Sequence, residues 1–471
     1  MRKDKLVCNS LPQSCWLVLL VAFACQAALS QSVKLVVRNA TIMTMADGQK
    51  TPIAGYLSVD ADGKILAVSA GEPPANLPGA TVVDAHGDYM IPGFISAHSH
   101  LYEAAYRALG VDKPLRGWGA ARQPYQRKST ADDIYRFTLY GALDHVQHGI
   151  TGVYNFAVSR SANATSDPVV NSEEAFQKVQ FKAEMDSGIR FEHSYPIGDT
   201  TTLAGLELTR TRIKAFLAWT ATQTSPTFLK VMLSGSTGGG QSAGAAALMK
   251  EFHLGNQTHF LEPNADQGVQ RLNFRAMLDT GLLQHDLYFG HFIHADDYIA
   301  EQTAKAGAGM SWQPLSNGRL ASGVADIPKY LKLGIRVGMG LDGEASADLA
   351  DPFENMRTGL YAVRDKYEDA TVLSPYQVLY LHTMGSADVM LVKDKVGSLE
   401  PGKFADFVLV NQARLGVPLE DPYANLVFVA SEKDMDSVWI GGQMVVDHGE
   451  LRHYDLVKIA ADAYARVAAQ K

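Results

Sequence analysis

The stretch "PGFISAHSHL", Pro92 to Leu101, decides how the chain is read. It begins as the apolar run of a buried strand and breaks into two histidines one residue apart. In extended chain, residues i and i+2 point to the same face, so His98 and His100 project side by side from the strand's end. Two imidazoles converging there can share one divalent ion, each bonding at about 2.0–2.1 Å.

Downstream of Pro92, short apolar runs alternate with longer helical patterns such as "TADDIYRFTLYGALDHVQHG" and "NFRAMLDTGLLQHD". That alternation indicates parallel strands joined by crossover helices. The strand-like runs are "GFISAHSH", "GITGVYNF", "GIRFEHSYPIG", "TFLKVMLSG", "QTHFLEP", "DLYFGHFIH", "GAGMSWQPLS" and "GIRVGMGLDG". Eight such units predict an α/β fold, a (β/α)8 TIM barrel, over residues 92–392. On its two flanks, residues 31–91 and 393–450, apolar and polar residues alternate between turn signals, as in "VKLVVRNATIMTM" and "MDSVWIGGQMVVDHGE". The flanks are expected to form one small β-sandwich domain built from both ends of the mature chain, with a C-terminal helix at 451–471.

Residues 1–30 read as a secretory signal peptide outside the fold. Arg2, Lys3 and Lys5 form a basic end, "CWLVLLVAFAC" is an apolar core too short to span a membrane, and cleavage is expected after Ser30. The expected product is periplasmic or secreted, without stable membrane insertion. A lipoprotein reading of "AFAC", ending at Cys25, is disfavoured by the bulky Phe23. Cys8, Cys15 and Cys25, the only three cysteines, all lie in this segment. The mature chain then has no disulfide, thiolate nucleophile, iron–sulfur cluster or thiolate-bound zinc. Losing three basic and one acidic residue carries the net charge from −8 to −10, which excludes nucleic acid as a natural partner. Homo-oligomers are only the general expectation.

Barrel enzymes build their active sites at the C-terminal ends of the strands. His259 ends the fifth run, His291 or His294 the sixth, and Asp342 the eighth. Nitrogen and oxygen ligands without sulfur suit zinc, with iron or manganese as alternatives. His193, at the end of the third run, could line the pocket, as could Trp118, Trp312 and Tyr102; each could equally be packing.

The ordered set "VVDAHGDYMIPGFISAHSHL", "THFLEP", "GHFIHADD", "QPLSNGRLASG", "GMGLDGEAS" and "VGSLEPGKFADFVLV" resembles the amidohydrolase superfamily, within it the deaminase and chlorohydrolase-like branch. The resemblance implies that His98, His100, His259 and Asp342 bind the metal and that Asp342 also handles protons. It implies that Glu262 meets the substrate and shuttles a proton, and that His291 polarises the scissile group. Asp342 is then the general base, with Glu262 delivering a proton to the leaving nitrogen. Lys230 matches, roughly, the carboxylated lysine that bridges two ions in related two-metal hydrolases, but the "HFLEP" spacing is typical of one-metal members; one ion is expected. Two departures stand out: Ser96 where "PGFIDAH" is common, and Leu341 in "GLDG" in place of the commoner Thr.

A rival comes from another class. Gly240, Ser242 and Gly244 have the G-x-S-x-G arrangement of a serine hydrolase, but "SGSTGG" separates them from the preceding strand and the paired histidines go unexplained. The loop also lacks the lysine of a phosphate-binding motif. A non-catalytic binding protein could lose metal ligands, yet every expected position is filled. The sequence therefore predicts an exported metal-dependent hydrolase of a small molecule, cleaving an amide, carbamate or urea. Hydrolytic deamination of an aminated heterocycle, or dehalogenation, is the alternative on the same site.

Overall fold

The computed structural model describes residues 33–161, 163–168, 170–235, 238, 240–416 and 421–471. The expected signal segment lies outside the described residues. Five strands, β1 (Leu35–Ile42), β2 (Ile53–Val59), β3 (Ile65–Ala70), β4 (Thr81–Asp84) and β5 (Tyr89–Pro92), precede the barrel. Eight more make it: β6 (Phe94–Ser99), β7 (Ile150–Asn155), β8 (Arg190–Pro196), β9 (Phe228–Ser234), β10 (Asn256–Phe260), β11 (Leu287–His291), β12 (Gly309–Trp312) and β13 (Arg336–Met339). Each of the eight predicted runs overlaps one of these strands, and all but "QTHFLEP", which starts one residue inside β10, contain it whole. They pair in sequence order, all parallel. β6 and β7 are buried throughout, the pattern of strands covered by helices on one side and filled by side chains on the other.

The ring closes between β13 and β6. Asp342 N donates to His98 O at 2.9 Å, and Leu341 N to Ser96 Oγ at 3.0 Å. Ser96, a departure at the sequence level, thus ties the seam. Gly340 is required there by space: a Cβ would lie 2.8 Å from His98 N and O. The helices between the strands include α1 (Leu115–Lys128), α2 (Ala131–Gln147), α3 (Glu173–Ser187), α4 (Leu203–Thr220), α5 (Ser242–Phe252) and α6 (Gln267–Asp279). They continue with α7 (Asp297–Lys305), α8 (Pro314–Arg319), α9 (Ile327–Leu333), α10 (Glu344–Ala347) and α11 (Pro352–Tyr367). α2 starts on a capping box, Thr130 with Asp133, which satisfies two end donors that the helix itself cannot.

After the barrel, β14 (Phe407–Val410), β15 (Met435–Ile440), β16 (Gln443–Asp447) and β17 (Glu450–Leu451) return to the first sheet. β14 pairs antiparallel with β5, so both flanks form one nine-stranded sheet in the order β17-β16-β15-β14-β5-β1-β2-β3, with β4 on β1. Its own core mixes both ends of the chain: Val37, Leu57 and Met90 pack with Phe407, Leu409 and Trp439. A final helix, α12 (Leu456–Ala469), lies on α2, where Arg466 pairs with Asp132 and Asp133. No described helix is long and apolar enough to cross a membrane.

Barrel and sheet are joined by a buried ion pair. Arg190, first residue of β8, meets Asp406 through Nε–Oδ2 at 2.6 Å and Nη2–Oδ1 at 2.8 Å, and its guanidinium lies over the Phe404 ring. Gly441 N also donates to Asp406 Oδ1, at 2.7 Å. Two-point pairing with added backbone bonds is the geometry that offsets the desolvation of both charges.

Candidate active site

Five predicted side chains converge at the C-terminal mouth. His98, His259, His291 and Asp342 each offer a ligand atom, all within 4.8 Å of one another. His100 adjoins them, its Nε2 3.1 Å from His259 Nε2 and 3.4 Å from Asp342 Oδ1. His98 Nε2 stands 3.5 Å from the same oxygen. His291, expected to polarise the scissile group, therefore stands within reach of the same point as the expected ligands.

The strand ends bend to bring these groups in. Leu261 (φ 51°), His291 (φ 69°) and Asp342 (φ 70°) all lie in the left-handed region, just beyond or at the ends of β10, β11 and β13. Each such residue costs about 1–3 kcal/mol and persists only where its surroundings impose it. The cost falls on the three strand ends that carry Glu262, His291 and Asp342.

The donor set fits a divalent ion. His98 Nε2 and His291 Nε2 are buried without a hydrogen-bond partner, as is Glu262 Oε1. Leaving such atoms unpaired costs on the order of 1–3 kcal/mol each, which an ion and the water it carries would relieve. His98 Nδ1 donates to Gln257 Oε1 at 2.5 Å, and Gln257 Nε2 donates to Ala97 O at 2.8 Å. His100 Nδ1 donates to Phe156 O at 3.1 Å. Each of these bonds aims an Nε2 lone pair at the common centre. His259 faces the open mouth and is flanked by the Phe156 ring at 4.7 Å.

Asp342 divides its two oxygens. Oδ1 faces His98 and His100, while Oδ2 accepts from Ser316 Oγ at 2.6 Å and Ser346 Oγ at 3.1 Å. These serines, on α8 and α10, supply the hydroxyl that Leu341 lacks. Burial opposes ionisation of Asp342, but the surrounding imidazoles of His98, His291 and His100 hold its carboxyl well below the usual range. Glu262 behaves oppositely: burial, reinforced by the Asp342 charge, pushes its carboxyl up to about 8. Its Oε2 lies 3.5 Å from His291 Nε2. Burial, with His98 adding, pushes His100 down to about 3, so its ring stays neutral.

Three predicted residues lie elsewhere. His193 points outward from β8 to α3, with Nδ1 2.9 Å from Glu184 Oε2 and Nε2 3.2 Å from Gln177 Oε1, so it is a core histidine turned away from the mouth. Trp312 also points outward, against Gly359 of α11. Lys230 is third in β9, far from that strand's catalytic end; its Nζ donates to Met390 O at 2.6 Å and lies 3.4 Å from Glu192 Oε1, so it bridges no ions. His294 sits in the loop and bonds Ser322 O at 2.7 Å. Ser242 opens α5 and is buried, while β9 ends at Ser234; the sharp strand-to-helix turn of a nucleophile elbow is not formed.

Sequence reasoning missed Glu103 and read Tyr102 and Trp118, which support the site with it, only as possible pocket lining or packing. Glu103 is buried beside the seam, paired with Arg122, and accepts from Tyr102 OH at 3.1 Å. Its Oε2 fills the space a Cβ on Gly343 would need, which explains a glycine directly after Asp342. Trp118 Nε1 donates to Ala345 O at 2.8 Å, so it braces α10 from α1. Gln257 was legible by parity, two residues before His259 on the same strand face.

The amidohydrolase family model matches residues 89–445 of this chain. The chain belongs to the amidohydrolase family. This amidohydrolase is a metal-dependent hydrolase acting on carbon–nitrogen bonds. A 5-methylthioadenosine/S-adenosylhomocysteine deaminase of Desulforudis audaxviator is 28% identical over 433 residues, covering 88% of this chain and 93% of that relative. Among solved structures, an adenosine deaminase from Xanthomonas campestris with bound zinc superposes with a TM-score of 0.77 at 20% identity, covering 93% of this chain and 98% of that one. Atrazine chlorohydrolase from Arthrobacter aurescens, complexed with zinc, gives a TM-score of 0.77 at 23% identity, covering 92% and 100%.

Proposed function

We propose that this amidohydrolase is a hydrolytic deaminase of an aminated heterocycle, an aminopurine nucleoside or a close relative, using one zinc ion. The observation that carries the reading is Glu262: a buried carboxyl with one unpartnered oxygen, standing beside His291 and Asp342. An amide carbonyl calls for no acid on the far side of the reacting carbon. An amidine-like ring carbon does, because its ring nitrogen must take a proton as water adds. A carboxyl kept protonated by its surroundings supplies that proton, and the deaminase relative named above points the same way.

His98, His100, His259 and Asp342 would hold the ion. When bound, a divalent ion lowers the pKa of water from 15.7 to about 7, which makes hydroxide available near neutrality. Asp342 receives the proton of the attacking water and returns it to the departing nitrogen as ammonia forms. Glu262 hydrogen-bonds the ring nitrogen, protonates it, and regains a proton from the new hydroxyl as the carbonyl forms and ammonia leaves. His291 Nε2 faces the carbon that becomes tetrahedral. The amide, carbamate and urea reading lacks this support, and halide release would use the same geometry with a different leaving group.

The test is ammonia release by zinc-loaded protein from adenosine, 5′-methylthioadenosine and S-adenosylhomocysteine, beside atrazine and an aryl amide. Ammonia from an aminopurine nucleoside is expected; turnover of the amide or of atrazine alone would overturn the reading. Export is proposed on the sequence of residues 1–30, and N-terminal sequencing should find a mature chain starting at Gln31.

A further inference from the structure

The histidines at the mouth all turn Nε2 toward the centre, but their partners do not put the hydrogen on the same nitrogen. His98 and His100 each give a hydrogen from Nδ1 to a fixed acceptor, Gln257 Oε1 and Phe156 O, which leaves Nε2 bare for a metal. His291 is set the other way. Its Nδ1 receives the amide Nδ2 of Asn317 at 3.4 Å, while its Nε2 faces two carboxyl oxygens, Glu262 Oε2 at 3.5 Å and Asp342 Oδ2 at 3.9 Å. A donor on one side and acceptors on the other both put the hydrogen on Nε2.

We propose that Asn317 is a positioning residue that fixes His291 with Nε2 protonated, so that His291 is a hydrogen-bond donor to the substrate and not a fifth metal ligand. The proposal rests on the deaminase reading only for what the donated bond does.

The element that carries Asn317 is built for this task. Gln313, ending the β12 turn, accepts from the backbone N of His291 through Oε1 at 2.9 Å and is itself held by Nε2 to Ser311 Oγ at 2.8 Å. That contact secures a residue in the left-handed region (φ 69°), which a free strand end would abandon. One turn on, at the start of α8, Ser316 donates to Asp342 Oδ2 and the adjacent Asn317 meets His291. Three side chains of "QPLSN" therefore hold the backbone of His291, the ring of His291 and the carboxylate of Asp342. This accounts for a motif that metal binding leaves unexplained. Asn317 is 3% exposed, so water does not compete for its amide.

The test uses zinc-loaded full-length protein labelled with 15N-histidine, in which the His291 signal is identified by its loss in His291→Asn. Nitrogen shifts report which ring atom is protonated. Wild type is expected to show His291 with hydrogen on Nε2 and none on Nδ1. Asn317→Asp, which can only accept, should place a proton on Nδ1; Asn317→Leu, of similar volume, should leave Nδ1 bare. Both variants should keep wild-type zinc content, and with 5′-methylthioadenosine as probe kcat should fall about 10- to 100-fold, the usual range for such outer contacts, with KM unchanged. A wild-type His291 protonated on Nδ1, an unaltered spectrum in Asn317→Asp, or loss of zinc from Asn317→Leu would overturn the proposal. If no aminopurine turns over in wild type, the substrate reading fails while the nitrogen spectrum and zinc content still decide the role of Asn317.

Discussion

Two clusters of buried polar groups sit at opposite ends of the barrel, and they follow opposite rules. At the base, Arg190 and Asp406 satisfy one another: two short bonds join them, Arg190 Nη1 reaches Pro226 O at 2.9 Å, and Gly441 N caps the carboxylate. At the mouth, His98 Nε2, His291 Nε2 and Glu262 Oε1 are buried without partners, and the strand ends that carry Glu262, His291 and Asp342 are bent into left-handed backbone. Satisfied charge holds the sheet to the barrel. Unpartnered polar atoms at the mouth, held there at a cost in strain, mark where an ion and a substrate are meant to complete the structure. The difference lies in what surrounds each group, since Arg190, Asp406, His98, His291 and Glu262 are all buried.

This contrast can be broken most sharply at Asp342. Asp342→Asn should lower kcat/KM by about 10²–10⁴-fold, the range for removing a group that moves protons in the transition state, while thermal unfolding shows a fold at least as stable as wild type. Joint loss of activity and fold would make the mouth a structural cluster like the base. The reverse is expected of Asp406→Ala. It should cost about 3–5 kcal/mol in denaturant unfolding, because Arg190 is left buried and unpaired, yet leave metal content unchanged.

A smaller effect belongs to the barrel interior. Burial, eased by Lys230, leaves the Glu192 carboxyl raised to about 7. Between its unfolded value near 4.5 and that value the native state binds the extra proton, so stability falls as pH rises through this window. Lys230→Met should widen the window upward and cost about 1–3 kcal/mol at neutral pH, less in mild acid, by pH-resolved unfolding. Ser242→Ala is the smallest: kcat and KM should match wild type, and a large loss would reopen the serine hydrolase.

Much of this contrast was legible in the chain, and the misreadings share a cause. The eight runs, and with them His98, His100, His259, Asp342 and either His291 or His294, could be read because strand ends in a barrel share one mouth, whereas Glu262 and the choice of His291 came from the family resemblance. What a run does not reveal is its pleat. His193 and Trp312 each lie one residue out of phase with the inward-facing Glu192 and Ser311, so parity sends them into the helix layer. Lys230 has the inward face but sits near the wrong end of β9. The supporting contacts of Gln313, Ser316 and Asn317 lie beyond the strand, where spacing carries no direction until α8 folds over the mouth.

The most direct test of the account is metal content. Purified wild-type protein should carry close to one divalent ion per chain, and His98→Ala should carry almost none while unfolding with wild-type cooperativity; the Asp406→Ala variant should retain its ion. Stoichiometric metal in His98→Ala, or none in wild type after zinc loading, would contradict the claim that the unsatisfied cluster at the mouth is the metal site.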